Sequence, residues 1–307
     1  MEKRYFVIGA AITDWMGFPE QAPTVADSVP GKVVKAAGGV GRNLAENMVR
    51  LGLAVELLTA FGDDADSKQL ISHCQHIGIG IRHSLVAEGY RGAMHLAILD
   101  GQQDLYTGLA DLQVLEVIST DYLQQQWAAL SQAAAIIVET NLPQTAIDWL
   151  LDQEWDVPLY LDPVSVPLAE KVKGKLAGFH TLKANKRQME ALSGQPIDNA
   201  RDLNKVARSL LDQGLEQVYI TLGSEGAYAA SPQGQLHLPA AKVQVANTTG
   251  AGDAFLAGVL WACNRNWPLA DCCRAGLAAS TLAVKSGGTV NPKLNETTLL
   301  EHIRKFC

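Results

Sequence analysis

The sequence predicts an α/β protein with a mainly parallel sheet, helices on both faces, and a small second sheet. Two observations carry this expectation. Apolar strand-like runs alternate with helix-like runs from residue 112 to residue 285, and such alternation is typical of parallel sheets. Residues 15–35 and 81–107 instead contain short alternating segments, which are typical of antiparallel strands. We therefore expect one domain over residues 1–307, with these two segments inserted as a separate small sheet.

The composition excludes several classes of function. The chain has 307 residues, of which 48% are hydrophobic and 19% charged, so a sizeable core can be buried. The net charge of -7, without a Lys/Arg-rich run, argues against a nucleic-acid partner. No segment approaches the roughly 18 consecutive apolar residues of a membrane span, and no signal peptide precedes the first strand-like run. The five cysteines lack metal-ligand spacing, so we expect a reduced, cytoplasmic protein.

The first strand is predicted over residues 5–12, an uninterrupted apolar run that is typical of a buried parallel strand. Asp14 follows directly, and we expect it at the carboxyl edge of the sheet, where open α/β sheets bind ligands. Taken alone, an aspartate at this position is better explained as a turn residue.

A glycine-rich segment opens the first helix, predicted over residues 44–51. Gly38 and Gly39 place bare backbone at the helix start, and the Asn43 amide can bind hydroxyl groups. A dinucleotide-binding fingerprint fails here, because Leu44 stands where the third glycine belongs. The failure argues against a nucleotide-dependent dehydrogenase.

The small sheet is predicted from three strands within residues 81–107, namely 82–87, 93–99 and 103–107, joined by turns at Gly89 and Gly101. Together with residues 15–35 these strands would form a lid over a ligand. His95 is expected to be a strand-surface residue rather than a catalyst, since no paired motif accompanies it.

Polar residues follow the strands of the second half of the chain. Asn141, Asp162 and Asn185 each stand at or just beyond a predicted strand end, and Gly223 to Gly226 follow the strand that contains Thr221. Because parallel strands end at one edge of a sheet, this series outlines a single crevice.

A second glycine-rich helix start, Gly250-Ala251-Gly252-Asp253, precedes an apolar helix-like run. Open amides at a helix start, together with the helix dipole, form an anion site that suits phosphate. Asp253 would then take a proton from a hydroxyl that attacks this phosphate. The alternative is a tight turn in which Asp253 is a favourable first-turn residue.

The order of these motifs resembles the ribokinase-like (PfkB) carbohydrate kinases over essentially the whole chain, which implies their three-layer fold. A narrower likeness, to members that act on pseudouridine, lies in residues 26–32, 38–43, 157–165, 180–185 and 291–292. The resemblance implies ATP-dependent phosphorylation of a furanose primary hydroxyl, here the 5′-hydroxyl of pseudouridine, giving pseudouridine 5′-phosphate. Ribose, another nucleoside or a fructose-type sugar remain alternative acceptors, and a catalytically weak nucleoside-binding relative is a further alternative.

The resemblance also implies a role for each site residue. Asp253 would be the general base, and the amides of Gly250, Ala251 and Gly252 would form the anion hole for the transferred phosphoryl group. The ribose hydroxyls would be bound by Asp14, Gly39 and Asn43, with Asn141 closing the site. The nucleotide would be bound by Asn185, near the ATP phosphates and Mg²⁺, and by Thr221, Gly223 and Gly226.

Two positions depart from the family pattern. Gln188 replaces an acidic residue linked to Mg²⁺, a role that is either neutral here or has moved to Glu190. Asn247 replaces an aspartate that helps to bind a monovalent cation in many relatives. Backbone carbonyls around Ser286 and Gly288 would still offer a K⁺ site. The family also implies a homodimer formed through the small sheet.

Overall fold

The computed structural model describes residues 3–24, 26–100 and 105–304. Fourteen strands lie within these ranges: β1 Tyr5–Ile8, β2 Ile12–Pro19, β3 Gly31–Gly38, β4 Val55–Leu58, β5 Ala60–Gly62, β6 Leu85–Ala87, β7 Met94–Leu99, β8 Leu105–Asp111, β9 Ala135–Glu139, β10 Leu159–Asp162, β11 Thr181–Asn185, β12 Gln217–Thr221, β13 Ala227–Ser231 and β14 Gly234–Leu238. The α-helices of these ranges are α1 Val40–Arg50, α2 Ala65–His76, α3 Thr120–Gln125, α4 Trp127–Leu130, α5 Gln144–Leu151, α6 Val166–Ala169, α7 Lys186–Ser193, α8 Ala200–Leu211, α9 Ala251–Cys263, α10 Leu269–Val284 and α11 Glu296–Ile303.

The main sheet has eight strands in the order β14-β13-β12-β11-β10-β9-β1-β4. From β4 to β12 every neighbouring pair is parallel, whereas β13 and β14 add an antiparallel hairpin at one edge. The strand order reverses at β1, which lies between β4 and β9. A reversal of this kind opens a crevice at the carboxyl ends of the strands.

Helices cover both faces of this sheet, as the alternation of buried residues along the strands requires. In β9, Ile136 and Val138 face one core, while Ala135 and Ile137 face the other. The first core also contains apolar residues of α3, α5, α7 and α8, and the second contains those of α1, α2, α9, α10 and α11. The predicted three-layer α/β fold is therefore confirmed. Among the described residues, no helix is long and apolar enough to cross a membrane.

The prediction of one strand over residues 5–12 is wrong. β1 ends at Ile8 and a new strand begins at Ile12, so Asp14 lies inside β2 rather than in a turn after β1. The break occurs where Glu139 approaches the backbone: it accepts a hydrogen bond from the Ala10 amide, and a Cβ on Gly9 would lie 2.3 Å from its side chain. A contact between residues so distant in the chain leaves no local signal.

A separate four-stranded sheet has the order β3-β2-β7-β8. Its strands extend beyond the predicted insertions, since β2 begins at Ile12, β3 ends at Gly38 and β8 continues to Asp111. The predicted turn residue Gly101, like the start of the strand expected over 103–107, lies outside the described residues.

The predicted strand 82–87 does not join this four-stranded sheet. Only Leu85–Ala87 of it forms a strand, β6, which pairs in parallel with β5 in a two-stranded sheet of its own. Ser84 anchors the segment there, because its hydroxyl donates to the Leu57 carbonyl at 2.7 Å and accepts from the Thr59 amide at 3.2 Å. Gly89 is therefore not the turn of a hairpin within the four-stranded sheet.

Candidate active site

A cavity of about 1040 Å³ lies between the carboxyl ends of the main-sheet strands and the four-stranded sheet. Twelve of the residues predicted for the site line it: Asp14, Gly39, Asn43, Asn141, Asn185, Thr221, Gly223, Gly226, Gly250, Ala251, Gly252 and Asp253. Ser286 and Gly288 are not among the lining residues. The fold thus brings together residues as far apart in the chain as Asp14 and Asp253.

Helix α9 starts on this cavity because Gly250 adopts a left-handed conformation, with φ of 79°. A Cβ at Gly250 would lie 1.9 Å from the Thr289 carbonyl oxygen, and one at Gly252 would lie 2.7 Å from Nζ of Lys183. The Gly250 position therefore requires glycine, whereas a side chain at Gly252 would displace the Lys183 ammonium, which lies against the first turn of the helix. The Ala251 amide donates a long hydrogen bond of 3.3 Å to the Thr248 carbonyl. The helix start and the lysine together make a positively polarised site suited to an anion.

Asp253 lies in the first turn of α9 and is 7% exposed. Its Oδ2 accepts a hydrogen bond of 3.0 Å from Nδ2 of Asn43. Burial and the nearby Asp162 together raise the pKa of Asp253 to about 6, against the opposing effects of Lys183, Asn43 and Arg42. A carboxylate with a pKa this close to neutrality is well matched to accept a proton.

Asp14 lies on the cavity face of the four-stranded sheet. Cross-strand pairing places Ala36, Asp14, His95 and Ala110 in one row on that face. The bare backbone of Gly38 makes room for Asp14, since a Cβ there would lie 2.0 Å from its Oδ2. Burial raises the pKa of Asp14, and the nearby His95 and Arg42 partly offset this.

His95 was expected on the strand surface, but it lines the cavity. Its Nδ1 lies 3.6 Å from Oδ1 of Asp14 on the neighbouring strand. In the sequence, the two faces of this strand can be told apart only if its pairing register is known. His95 is therefore a site residue that the sequence did not identify.

Gly39 places the start of α1 against the turn that follows β1. Its φ is 92°, and a Cβ there would lie 2.4 Å from the Ala10 carbonyl oxygen. The next turn of α1 carries Asn43, whose side chain reaches Asp253 on α9. One glycine-permitted close approach thereby positions an amide beside the buried carboxylate.

Asn141 is held by Glu139, a fully buried carboxyl group that no sequence motif marks as a site residue. Oε2 of Glu139 accepts from the Asn141 backbone amide at 3.0 Å and from its Nδ2 at 2.7 Å. Burial raises the pKa of Glu139 to about 7 despite these donors. With Nδ2 engaged, the Asn141 carboxamide presents Oδ1 as its hydrogen-bond acceptor toward a ligand.

Asn185 is the N-cap of α7 and forms a capping box with Gln188. Its Oδ1 accepts from the Gln188 amide at 3.0 Å, and Oε1 of Gln188 accepts from the Asn185 amide at 2.8 Å. Gln188 therefore has a local structural role at the start of α7. Beyond β12, Gly226 adopts a φ of 101°, and a Cβ there would lie 1.9 Å from the Leu238 carbonyl oxygen.

A buried ion pair joins two neighbouring strands beneath the helix start. Nζ of Lys183 on β11 lies 2.6 Å from Oδ2 of Asp162 on β10, and both side chains are almost completely buried. From the sequence, Asp162 is predicted only as a strand-end residue, and Lys183 lies in the resembling segment 180–185 without an expected role. The available signal was a lysine between Leu182 and Ala184 in a predicted strand, because a buried lysine needs a partner or a function.

The described residues contain no group of three or more His, Cys, Asp or Glu side chains suited to a metal.

Asn247 lies in the loop before α9. It donates from Nδ2 toward the Gly287 carbonyl at 3.4 Å and accepts from the Thr249 amide at 2.9 Å. The Asn247 amide thus ties the loop that carries Ser286 and Gly288 to the residues before α9.

Comparison with known proteins gives one consistent family. Residues 2–297 match the model of the pfkB family of carbohydrate kinases. Pseudouridine kinase of Escherichia coli (strain K12) is 33% identical over 96% of this chain and 95% of its own length. Guanosine-inosine kinase of Exiguobacterium acetylicum is 25% identical over 94% and 97%. The structure of Arabidopsis thaliana ribokinase complexed with ribose and ATP superposes with a TM-score of 0.82 at 20% identity, covering 99% of each chain.

Proposed function

Because the chain belongs to the PfkB family of carbohydrate kinases, we propose that it transfers a phosphoryl group from ATP to the 5′-hydroxyl of pseudouridine. As a family member it is a sugar or nucleoside kinase, and the narrower substrate is the proposal. The observation that carries the proposed phosphoryl transfer is the placement of the buried Asp253 carboxylate at the start of α9, in a cavity shared with Asp14 and Asn43.

In the proposed reaction, Asp253 accepts the proton of the acceptor hydroxyl while the hydroxyl oxygen bonds to the γ-phosphorus of ATP. The bond from that phosphorus to the bridging β-phosphate oxygen breaks, and ADP leaves with the electron pair. Asn43 fixes one carboxylate oxygen of Asp253, which leaves the other to face the hydroxyl. Lys183 and the first turn of α9 stabilise the negative charge that develops on the phosphoryl oxygens. The Gly252 amide would be the main backbone donor to the phosphoryl oxygens, because the Ala251 amide also donates to the Thr248 carbonyl.

The ATP phosphates would extend from this helix start toward Asn185, and the remainder of the nucleotide toward Thr221, Gly223 and Gly226. All four residues line the same cavity. Mg²⁺ would be bound chiefly by the phosphates and water, since this cation commonly uses only one or two carboxylates. Asp162, which lines the same cavity and pairs with Lys183, is the carboxylate that would contribute.

The acceptor would lie under the four-stranded sheet. Asp14 and Asn43 can bind a diol through a carboxylate and an amide, Gly39 allows close approach of backbone, and Asn141 presents an acceptor oxygen. The four-stranded sheet would act as a lid that excludes water, a competing phosphoryl acceptor. Pseudouridine is favoured as acceptor by the relative that is 33% identical over nearly the full length of both chains.

Two further features are part of the proposal. The carbonyls around Ser286 and Gly288 would bind K⁺ beside the loop that Asn247 ties to Gly287. The outer face of the four-stranded sheet would pair with a second copy of the chain, because it exposes Val33, Leu96 and Leu109.

The substrate is tested by measuring ADP formation with pseudouridine, uridine, adenosine, ribose and fructose, each with and without K⁺. We expect the highest kcat/KM with pseudouridine and a product with the mass of pseudouridine 5′-phosphate. If pseudouridine is inert while another acceptor is phosphorylated, the substrate is wrong and the family assignment stands. Stimulation by K⁺ but not by Na⁺ would support the cation site, and equal rates in both salts would contradict it.

A further inference from the structure

Arg42 lies on α1 between the two predicted site residues Gly39 and Asn43, and it is only 1% exposed. Its guanidinium donates from Nε to the Gly38 carbonyl at 3.0 Å and from Nη2 to the Ala37 carbonyl at 3.1 Å. Nη2 also donates to Oδ1 of Asn43, and Nη1 donates to Glu46. A buried guanidinium with four acceptors is a fixed structural element rather than a mobile surface charge.

The contact with Asn43 determines which way the Asn43 carboxamide points. The two ends of a carboxamide have similar size but opposite hydrogen-bonding character. Arg42 holds the oxygen end, and Thr289 lies 3.5 Å from the same oxygen. Nδ2 is thereby directed at Oδ2 of Asp253, to which it donates at 3.0 Å. Without the guanidinium, the carboxamide would lose its main orienting partner.

The same guanidinium also binds the end of a strand in the four-stranded sheet. Ala37 and Gly38 are the last two residues of β3, and Gly38 packs directly against the Asp14 carboxylate. Arg42 therefore contacts both the sheet that carries Asp14 and the amide that orients Asp253. Pairing with Glu46 alone does not explain this arrangement, because Glu46 already has a second guanidinium partner: Arg50 donates to it at 2.9 and 2.7 Å.

We propose that Arg42 is a positioning residue, which couples the end of β3 to the orientation of Asn43 and thereby to the proton-accepting carboxylate of Asp253. The inference rests on the proposed function for the role of Asp253. The residue would act in two ways, by the direction of its hydrogen bonds and by its positive charge.

The charged surroundings of Asp253 come from three elements. Asp162 on β10 raises the pKa of Asp253 in addition to burial, while Lys183 on β11 and Arg42 on α1 lower it. Arg42 is thus one of two cations that favour the ionised carboxylate. The Asn43 hydrogen bond, which Arg42 orients, lowers the pKa as well. Loss of the hydrogen-bond geometry should therefore raise the pKa of Asp253, and loss of the positive charge should raise it further.

Two variants separate these contributions. Arg42→Lys keeps the charge but loses the planar fork that orients Asn43. We expect kcat to fall at least about tenfold and the acid limb of the pH–rate profile to move to higher pH, because the Asn43 hydrogen bond to Asp253 is lost. Arg42→Gln removes the charge as well, and we expect the acid limb to move further to higher pH. Arg50→Gln is the matched control, because it removes the other guanidinium from Glu46 without contacting Asn43 or β3. It should leave kcat and the profile unchanged.

A second readout does not depend on turnover. The pKa of Asp253 can be followed by NMR titration of ¹³C-labelled aspartate carboxyls, with the signal assigned by its absence in Asp253→Asn. We expect a higher pKa in Arg42→Gln than in wild type and in Arg42→Lys. If the wild type phosphorylates no acceptor, the proposed function fails, yet this titration still decides whether Arg42 controls Asp253.

The proposal is contradicted if kcat of Arg42→Lys stays within twofold of wild type. It is equally contradicted if the Asp253 pKa in folded Arg42→Gln equals that of wild type. Should Arg42→Gln fail to fold, Arg42→Lys decides the matter, because it keeps a cation beside Glu46 and alters only the hydrogen-bonding fork.

Discussion

At the scale of single residues, the proposed chemistry depends on the charge state of Asp253. Its carboxyl group is buried beside another carboxylate, Asp162, and beside two cations, Lys183 and Arg42. Burial and Asp162 raise its pKa to about 6, well above the ordinary value for an aspartate. The group is therefore ionised at neutral pH but titrates within an experimentally accessible range.

This pKa gives a prediction for the pH dependence of turnover. A general base acts in its ionised form, so the rate should fall as the pH decreases through about 6, the value to which the pKa of Asp253 is raised. The measurement is kcat/KM for the acceptor between pH 5 and pH 8 at saturating ATP. A rate that stays constant down to pH 5 would show that Asp253 does not titrate as described.

At the scale of elements, the start of α9 depends on a backbone conformation that only glycine adopts readily. Gly250 has φ of 79° and no space for a side chain. Gly194, which ends α7, has a similar φ of 67° but has no atom within 4 Å of a Cβ placed there. The two positions therefore separate conformational strain from steric overlap.

We predict that Gly250→Ala destabilises the protein by more than the roughly 1–2 kcal/mol that a left-handed non-glycine residue costs. Gly194→Ala is the matched control and should show only that strain. Gly250→Ala should also lower kcat, because relief of the overlap with Thr289 displaces the first turn of α9. Urea unfolding and steady-state kinetics measure both effects. Equal stability and equal activity of the two variants would contradict this explanation of the helix start.

Secondary structure was predictable wherever the pattern is local. Helix α7 was expected over residues 186–193 and is found there, and the parallel strands β9 to β12 follow the predicted alternation. The break between β1 and β2 was missed because Glu139, about 130 residues away, bonds to Ala10. Strand β6 was missed as a partner of β5 because its pairing is set by Ser84 and not by its own periodicity.

The site was predictable where a motif marks it and not where packing creates it. Glycine pairs and strand-end polar residues indicate the cavity from the sequence alone. Lys183, Glu139 and Arg42 were not identified, because each acquires its significance from a partner on another element or from burial. His95 faces the cavity through the pairing register of β7, which its own sequence does not fix.

At the scale of the whole molecule, the four-stranded sheet has two different faces. One row of residues faces the cavity, and the alternate row, which contains Trp15, Leu96 and Leu109, lies on the opposite face. Leu109 is 68% exposed in the single chain. An exposed apolar sheet face of this kind is a common feature of protein–protein contacts.

We predict that the wild-type protein is a dimer and that Leu109→Glu converts it to a monomer. A charge within an apolar interface would have to be desolvated without a partner. Val86→Glu is the matched control, because Val86 is 60% exposed on β6, outside the four-stranded sheet. Sedimentation velocity distinguishes the states. A monomeric wild type, or a Leu109→Glu variant that remains dimeric, would contradict the assembly.

The central claim is that Asp253 accepts the proton of the acceptor hydroxyl, and Asp253→Asn tests it most directly. Asparagine retains the shape of the side chain but cannot act as the base. We expect kcat to fall by at least about 100-fold, in line with the contribution of general bases, while calorimetry shows nucleoside binding close to that of wild type. Near-normal turnover in Asp253→Asn would contradict the mechanism.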